Sequence, residues 1–218
     1  MFNTNHVNRL LETKPTEVPG SLGSVDEAVL WENFKKGNEL AFSILYKRYI
    51  QRLHNYGMHT CRDKDLVLDC LQELFAHLWD RRETVSSVGS VNFYLFKSFR
   101  RLLLSRIMAR KRFSTLLPGS SAVFFEFVPS AEQSMIDNES KAHQVECLKT
   151  SVKALSRRQR EAIFLKFFNE LSYHEVAVIM DVRVESVYNL ISKAIDILRS
   201  KLRISIPAIV AVAGTILG

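Results

Sequence analysis

The sequence predicts an all-α protein made of two small helical domains joined by a flexible linker. Apolar residues recur at three- and four-residue steps over two long stretches of the 218-residue chain, about 27–112 and 140–203. The segment between them, 113–139, contains two prolines and a Gly-Ser-Ser run, which is the composition of a linker. No segment alternates apolar and polar residues over the length that a strand needs.

The composition fits a globular protein with polyanionic partners. Apolar residues make up 47% and charged residues 24% of the chain, enough to bury a core. A total of 30 Lys and Arg against 23 Asp and Glu gives a net charge of +7, which favours nucleic acid over membrane as a partner. The three cysteines form no CxxC pair, so we expect neither a disulfide framework nor a metal site, and no cofactor.

Both ends of the chain fall outside the helical pattern. Residues 1–26 lack periodicity and are predicted to form a flexible arm without a secretory signal, so the expected location is the cytoplasm. Residues 204–218 are apolar and uncharged, but shorter than the roughly 20 residues that a membrane-spanning helix needs. This tail is expected to pack on a domain or to be disordered, with a weak membrane or protein contact as the alternative.

The N-terminal domain is predicted to hold four helices, of which the third has two distinct faces. The first helix, from Asp26, includes Val29 in its apolar pattern and stops at Gly37-Asn38, where glycine ends one helix and asparagine caps the next. The third, about Lys64 to Arg81, carries a polar strip opposite its buried stripe. Such a strip suits docking to a helix of a partner, although a solvated face is the ordinary explanation. The strip consists of Asp69, Gln72, Glu73 and Ala76, followed by Trp79 and Asp80.

The fourth helix, about Val91 to Arg112, mixes basic and aromatic residues. Seven basic residues and no acidic one lie between Lys97 and Arg112. Cations beside aromatic rings are what single-stranded nucleic acid requires, because phosphates need charge and unstacked bases need ring faces. We expect Phe96 and Phe99 to be core, which leaves Tyr94 and the basic residues as candidates for this contact.

The C-terminal domain is predicted to contain a helix-turn-helix. Ser156 and Ser172 are candidate N-caps, and Glu175 completes a capping box with Ser172. Asp181 to Arg183 forms the turn, and Asp181 occupies a position where many such turns have glycine. The next helix would bury one face and present the other to the major groove, although a plain helical bundle would show the same division. The exposed residues are Arg183, Glu185, Ser186, Tyr188, Asn189, Ser192 and Lys193.

Four motifs together resemble the extracytoplasmic-function group of sigma-70-type initiation factors, over about residues 27–203. The first is Gly37-Asn38-Glu39-Leu40-Ala41-Phe42 with Leu45-Tyr46, similar to Gly-Asp-x-x-Ala-Phe…Leu-Tyr of the family. The second is Asp69-Cys70-Leu71-Gln72-Glu73-Leu74-Phe75 with Leu78-Trp79. Residues 155–161 (LSRRQRE) and 171–177 (LSYHEVA) complete the set. Each motif alone is weak, and their order in one chain makes the resemblance specific.

The resemblance implies a role for each surface. It implies sigma region 2 over 27–112 and sigma region 4 over 140–203. The third helix would dock on the core RNA polymerase through Asp69, Gln72, Glu73, Phe75 and Trp79. The loop near Glu83–Asn92 and the basic helix would hold the melted −10 strand, through Tyr94, Lys97, Arg100, Arg101 and Arg106. The helix-turn-helix would read the −35 element of promoter DNA. An anti-sigma factor, often membrane-bound, is implied as a further partner.

Two departures and two alternatives accompany this reading. Many family members have Asn within the segment matching Phe99–Leu102, where this chain has Arg, and Asp181 replaces the usual Gly. A stand-alone helix-turn-helix regulator is the main alternative, but it would not need the docking helix. An enzyme is not expected, because no phosphate loop, metal-spaced cluster or catalytic triad is present in the sequence.

Overall fold

A computed structural model describes residues 26–114 and 151–202, and this part of the chain is helical without any strand. The all-α prediction is confirmed. The predicted arm up to residue 25, the linker from residue 115 onward and the tail 204–218 lie outside the described residues. Cys61 and Cys70 are buried and form no disulfide, and Cys147 is outside the described ranges.

The N-terminal helices lie close to their predicted bounds. They are α1 (Glu27–Lys35), α2 (Glu39–Thr60), α3 (Lys64–Asp80) and α4 (Val91–Ser114). The break between α1 and α2 has the predicted cause, since Gly37 has φ +83 and the Asn38 side chain accepts a hydrogen bond from the Ala41 amide at 3.0 Å. A left-handed glycine ends one helix and an asparagine caps the next.

The C-terminal helices are α5 (Arg157–Ile163), a π-helical turn (Phe164–Phe168), α6 (Tyr173–Met180) and α7 (Val184–Leu202). Ser156 and Ser172 each form a complete capping box, with Gln159 and Glu175 respectively. Sequence reasoning predicted the second box and only the cap of the first. Both α5 and α6 pack on α7.

Within the described residues, the contacts divide the chain into two compact units. One contains 26–54 and 65–106, and the other contains 55–64, 107–114 and 151–202. The first has an aromatic core in which Phe42 lies 5.7 Å from Phe34 and 5.0 Å from Trp79 between ring centroids. In the second, the buried Tyr56 hydroxyl donates to the carboxylate of Glu161 at 2.8 Å, which compensates for the burial of that charge.

The π-helical turn corrects one detail of the sequence interpretation. The sequence predicts a buried run of Ala162, Ile163, Leu165 and Phe167 after the start of α5. Ala162 and Leu165 are buried, whereas Ile163 and Phe167 are half-buried and Phe164 is 3% exposed. The extra residue in the turn rotates the following side chains relative to a regular helix. Just beyond it, Glu170 takes a positive φ of 55°, and nothing in its side chain predicted this.

Asp181 adopts the left-handed conformation that its position in the turn requires, with φ 55 and ψ 56. A β-branched residue tolerates this conformation far less well than Asp. We expect Asp181→Val to lower the free energy of unfolding by about 1–2 kcal/mol, and Asp181→Gly to leave it unchanged or raise it. Urea unfolding of the two variants measures this, and equal stability of wild type and Asp181→Val would contradict it.

Candidate functional site

The polar strip of α3 is a real surface. Asp69 and Gln72 are exposed, Glu73 is half-buried, and Leu68 adds an exposed apolar side chain at the strip's edge. The opposite face of α3 is buried through the set Leu66, Val67, Cys70, Leu71, Leu74, Phe75 and Leu78. The helix is therefore held rigidly by one face and presents acid and amide groups on the other.

Two residues of the predicted docking set lie beneath that surface. Phe75 is fully buried, and its ring meets Tyr46 edge-on at 4.8 Å, so its side chain is not available to a partner here. Trp79 is half-buried against Phe42, and the Arg82 guanidinium lies 4.8 Å from the Trp79 ring. Phe75 positions the docking helix, and Trp79 reaches the surface only in part.

The loop between α3 and α4 is tied to α1. The Trp31 indole N–H donates to the Ser86 carbonyl at 3.3 Å. The Ser87 hydroxyl donates to the Glu32 carboxylate at 2.8 Å and accepts from the Lys35 ammonium at 3.1 Å. The hydrogen bond from Ser87, followed by one from Lys35 to the same carboxylate, lowers the pKa of the Glu32 carboxyl. The loop conformation thus depends on a helix more than fifty residues earlier in the chain.

On the basic helix α4, the aromatic core residues are buried and most of the charged residues are exposed, as predicted. Phe96 and Phe99 are fully buried, whereas Lys97, Arg101 and Arg106 are exposed and Tyr94 and Arg100 are half-buried. Tyr94 rests edge-on against Trp31, with ring centroids 5.5 Å apart. Trp31 therefore contacts both the loop, through Ser86, and the Tyr94 ring on α4.

An ion pair joins the acidic strip to the basic helix. Arg106 donates to the Glu73 carboxylate at 2.6 Å, which raises the pKa of the Arg106 guanidinium. The residues are 33 positions apart, on α3 and α4. No local pattern in the sequence links them, so the two surfaces predicted as independent share a contact.

The helix-turn-helix presents its predicted reading residues to solvent. Arg183, Glu185, Tyr188, Asn189, Ser192 and Lys193 are all exposed, and Ser186 is half-buried. The spacing predicts six inward-facing residues on the opposite face of α7. Four of them are buried, Val187, Ile191, Ala194 and Leu198, and the other two, Val184 and Ile195, are half-buried. A helix with one anchored face and one polar face is what the major groove accepts.

A feature that the sequence did not reveal lies at the base of this motif. The rings of Tyr173 and Tyr188 stack with their centroids 4.0 Å apart and 13° between their planes. The ammonium of Lys166 lies 4.9 Å from the centroid of the Tyr173 ring. The two tyrosines are fifteen residues apart on different helices, so their contact could not be predicted without knowing how the helices cross.

Other kinds of site find no support in the described ranges 26–114 and 151–202. They contain no group of His, Cys, Asp and Glu residues that could hold a metal ion. Within the same ranges, no helix has the length and apolar character needed to cross a membrane.

The sequence matches two parts of one family. Sigma-70 region 2 matches residues 45–113, and sigma-70 region 4 matches residues 145–198, together more than half of the chain. The first match contains α3, the loop and all but the last residue of α4, and the second contains α6, the turn and most of α7. The chain belongs to the sigma-70 family. No curated protein matches it in sequence.

Two solved structures share its fold. CnrH, in complex with the cytosolic domain of CnrY, is 18% identical with a TM-score of 0.51, over 81% of this chain and 97% of that one. The sigma factor RpoE, in complex with the anti-sigma factor NepR from Bartonella quintana, is 19% identical with a TM-score of 0.53. That likeness covers 74% of this chain and 98% of the RpoE chain.

The two family matches confirm the prediction of a sigma factor of the sigma-70 family. A sigma factor is a transcription initiation factor, and the family is not enzymatic. A stand-alone helix-turn-helix regulator is not favoured, because region 2 has no function in such a protein.

Proposed function

We propose that this sigma factor binds core RNA polymerase through α3 and brings it to promoters whose −10 and −35 elements it contacts with α4 and α7. The observation that carries the proposal is the presence of regions 2 and 4 in one chain, each with its expected surface exposed. A sigma factor must bind both polymerase and DNA, and the chain has α3 for the first and α4 and α7 for the second.

Docking to the polymerase is assigned to the strip of α3. Asp69 and Gln72 are exposed and available to bond with a partner, while Phe75 and the rest of the buried stripe fix their direction. Charged and amide groups around a small apolar contact such as Leu68 suit a helical partner surface with basic residues. Glu73 and Trp79 contribute at the margin, since both are half-buried.

Contact with the −10 element is assigned to α4 and the loop before it. Lys97 and Arg101 are exposed and supply charge for the phosphates of a single strand. Arg100 is half-buried beside them, and Arg106 contributes from the side of the helix that pairs with Glu73. Tyr94 offers a ring for base stacking, supported from behind by Trp31. The anchored loop would receive an unstacked base beside that ring.

Contact with the −35 element is assigned to the exposed face of α7. Asn189 suits an adenine edge, and Arg183 and Lys193 suit guanine edges or phosphates. Glu185 accepts hydrogen bonds and would favour a cytosine amino group, with Ser186 and Ser192 as smaller donors and acceptors. We also propose an anti-sigma partner. This rests on family membership and on the RpoE–NepR complex as a structural neighbour.

The proposal is tested by selecting DNA from a randomised library with the chain alone, with core polymerase alone and with both. We expect only the combination to enrich two short sequence blocks at a fixed spacing. Enrichment by the chain alone, of paired half-sites and without any contribution from core polymerase, would instead indicate a stand-alone regulator.

The anchoring of the loop leads to a separate prediction. We expect Ser87→Ala to reduce promoter melting roughly two- to tenfold, because the loop loses its bonds to Glu32 and Lys35. Permanganate reactivity of thymines in the −10 region measures melting. Thr84→Ala is the matched control, since that hydroxyl bonds only within the turn, to the Arg81 carbonyl. Equal melting by Ser87→Ala and wild type would refute the anchoring role.

A further inference from the structure

An aromatic stack links the two helices of the helix-turn-helix, and the proposed function does not use it. Tyr173 is the first residue of α6, and its ring lies parallel to that of Tyr188 on α7, with centroids 4.0 Å apart. Lys166, from the π-helical turn, lies over the Tyr173 ring and donates to the Leu171 carbonyl at 3.1 Å. Three successive elements of the chain therefore meet at one ring.

The stack holds Tyr188 without covering it. The side chain of Tyr188 remains 52% exposed although its ring is in contact with Tyr173. It lies on the same face of α7 as Glu185, Asn189 and Ser192, at steps of three and four residues. A side chain that is ordered before binding loses less conformational freedom when it meets its ligand, so it discriminates better than a mobile one.

We propose that Tyr188 contacts the methyl group of a thymine in the −35 element, and that Tyr173 is the positioning residue that holds the Tyr188 ring for this contact. The inference rests on the −35 contact proposed above. The thymine methyl is the apolar feature of the major groove, and an exposed, fixed ring matches it. Glu185 lies one turn before Tyr188 on the same face, and its carboxylate disfavours a phosphate beside the ring.

The test uses the −35 sequence that the chain and core polymerase select together from a randomised library. Each thymine is replaced in turn by uracil, which removes only the methyl group, and binding of the complex is measured. With wild type, we expect one replacement to weaken binding about three- to fivefold, the effect of leaving one methyl group unburied. With Tyr188→Ala the same replacement should have no effect. Tyr173→Ala should also abolish the difference, whereas Tyr173→Phe, which keeps the ring, should retain it.

The variants separate positioning from folding and from general affinity. Lys193→Ala is the control, since losing a charge should weaken binding to thymine and uracil duplexes equally. The inference would be overturned if Tyr173→Ala distinguished the thymine duplex from the uracil duplex as well as wild type does. It would also be overturned if the uracil replacement weakened binding of Tyr188→Ala as much as it weakens binding of wild type. A selected −35 element that contains no thymine would also overturn it. So would a Tyr188→Phe variant that binds all duplexes more weakly by the same factor, because the Tyr188 hydroxyl would then be contacting a phosphate. If wild type distinguished no −35 sequences at all, the proposed function itself would fail.

Discussion

Gln72→Ala should weaken binding to core RNA polymerase by about tenfold and leave promoter preference unchanged. Gln72 is exposed on a helix whose opposite face is fully packed, so its loss should remove a hydrogen bond to the partner without disturbing the fold. The amide lies next to Asp69 in the strip, and a few residues near the centre of an interface typically contribute most of its affinity. Fluorescence titration of labelled chain with core polymerase measures the effect.

Ser200→Ala is the control for Gln72→Ala, since it also replaces an exposed uncharged polar side chain by alanine. Ser200→Ala removes an exposed polar side chain that bonds only to the Ile197 carbonyl in its own helix, so it should bind core polymerase as wild type does. Thermal unfolding should show no difference among the three proteins. An unchanged affinity of Gln72→Ala would mean that the docking surface is not the strip of α3.

Asn189→Ala should produce the complementary result. The amide of Asn189 is exposed on the reading face of α7, and a bidentate contact to adenine contributes about 1–3 kcal/mol of discrimination. We therefore expect the preference at one −35 base pair to fall by roughly 5- to 150-fold, with core binding intact. Competition binding against duplexes that carry each of the four base pairs at each position measures this preference.

Gln72→Ala and Asn189→Ala serve as controls for one another, since both truncate an exposed amide to alanine. Gln72→Ala should bind core polymerase more weakly and keep its base preference, whereas Asn189→Ala should keep its polymerase affinity and lose its preference at one base pair. A loss of affinity in Asn189→Ala that is uniform across all sequences would contradict a base contact, because a phosphate contact carries no sequence information.

Sequence alone sufficed where local rules decide structure. Gly37, Ser172 and Asp181 each occupy a position whose backbone conformation or capping bond depends on near neighbours, and each was predicted. The buried stripe of α3 followed from spacing in the same way. These features need no knowledge of how the helices pack against each other.

Features that depend on tertiary contacts were missed or wrong. Val29 was placed in the apolar pattern of the first helix, but it is exposed, and Trp31 is buried instead. Helix α1 buries Leu30, Trp31 and Phe34, and the Trp31 indole also bonds to the distant Ser86 carbonyl, a contact that no local pattern reveals. The positive φ of Glu170 follows the π-helical turn, another feature that periodicity cannot show.

The same limit applied to the candidate site. The pair of Glu73 with Arg106 joins two helices, and the Tyr173–Tyr188 stack depends on how α6 crosses α7. Sequence patterns identified which residues face solvent, whereas the structure identified which of them contact each other. Glu73 is consequently assigned to the polymerase surface only in part, since its carboxylate already serves Arg106 on the DNA surface.

Transcript mapping with purified components tests the central claim most directly. Core RNA polymerase is incubated with genomic DNA fragments, with and without the chain, and the 5′ ends of the transcripts are sequenced. We predict a set of start sites that appears only with the chain, each preceded by shared −35 and −10 sequences. Identical transcripts in both reactions, from a chain that nonetheless binds specific DNA by itself, would contradict its function as a sigma factor.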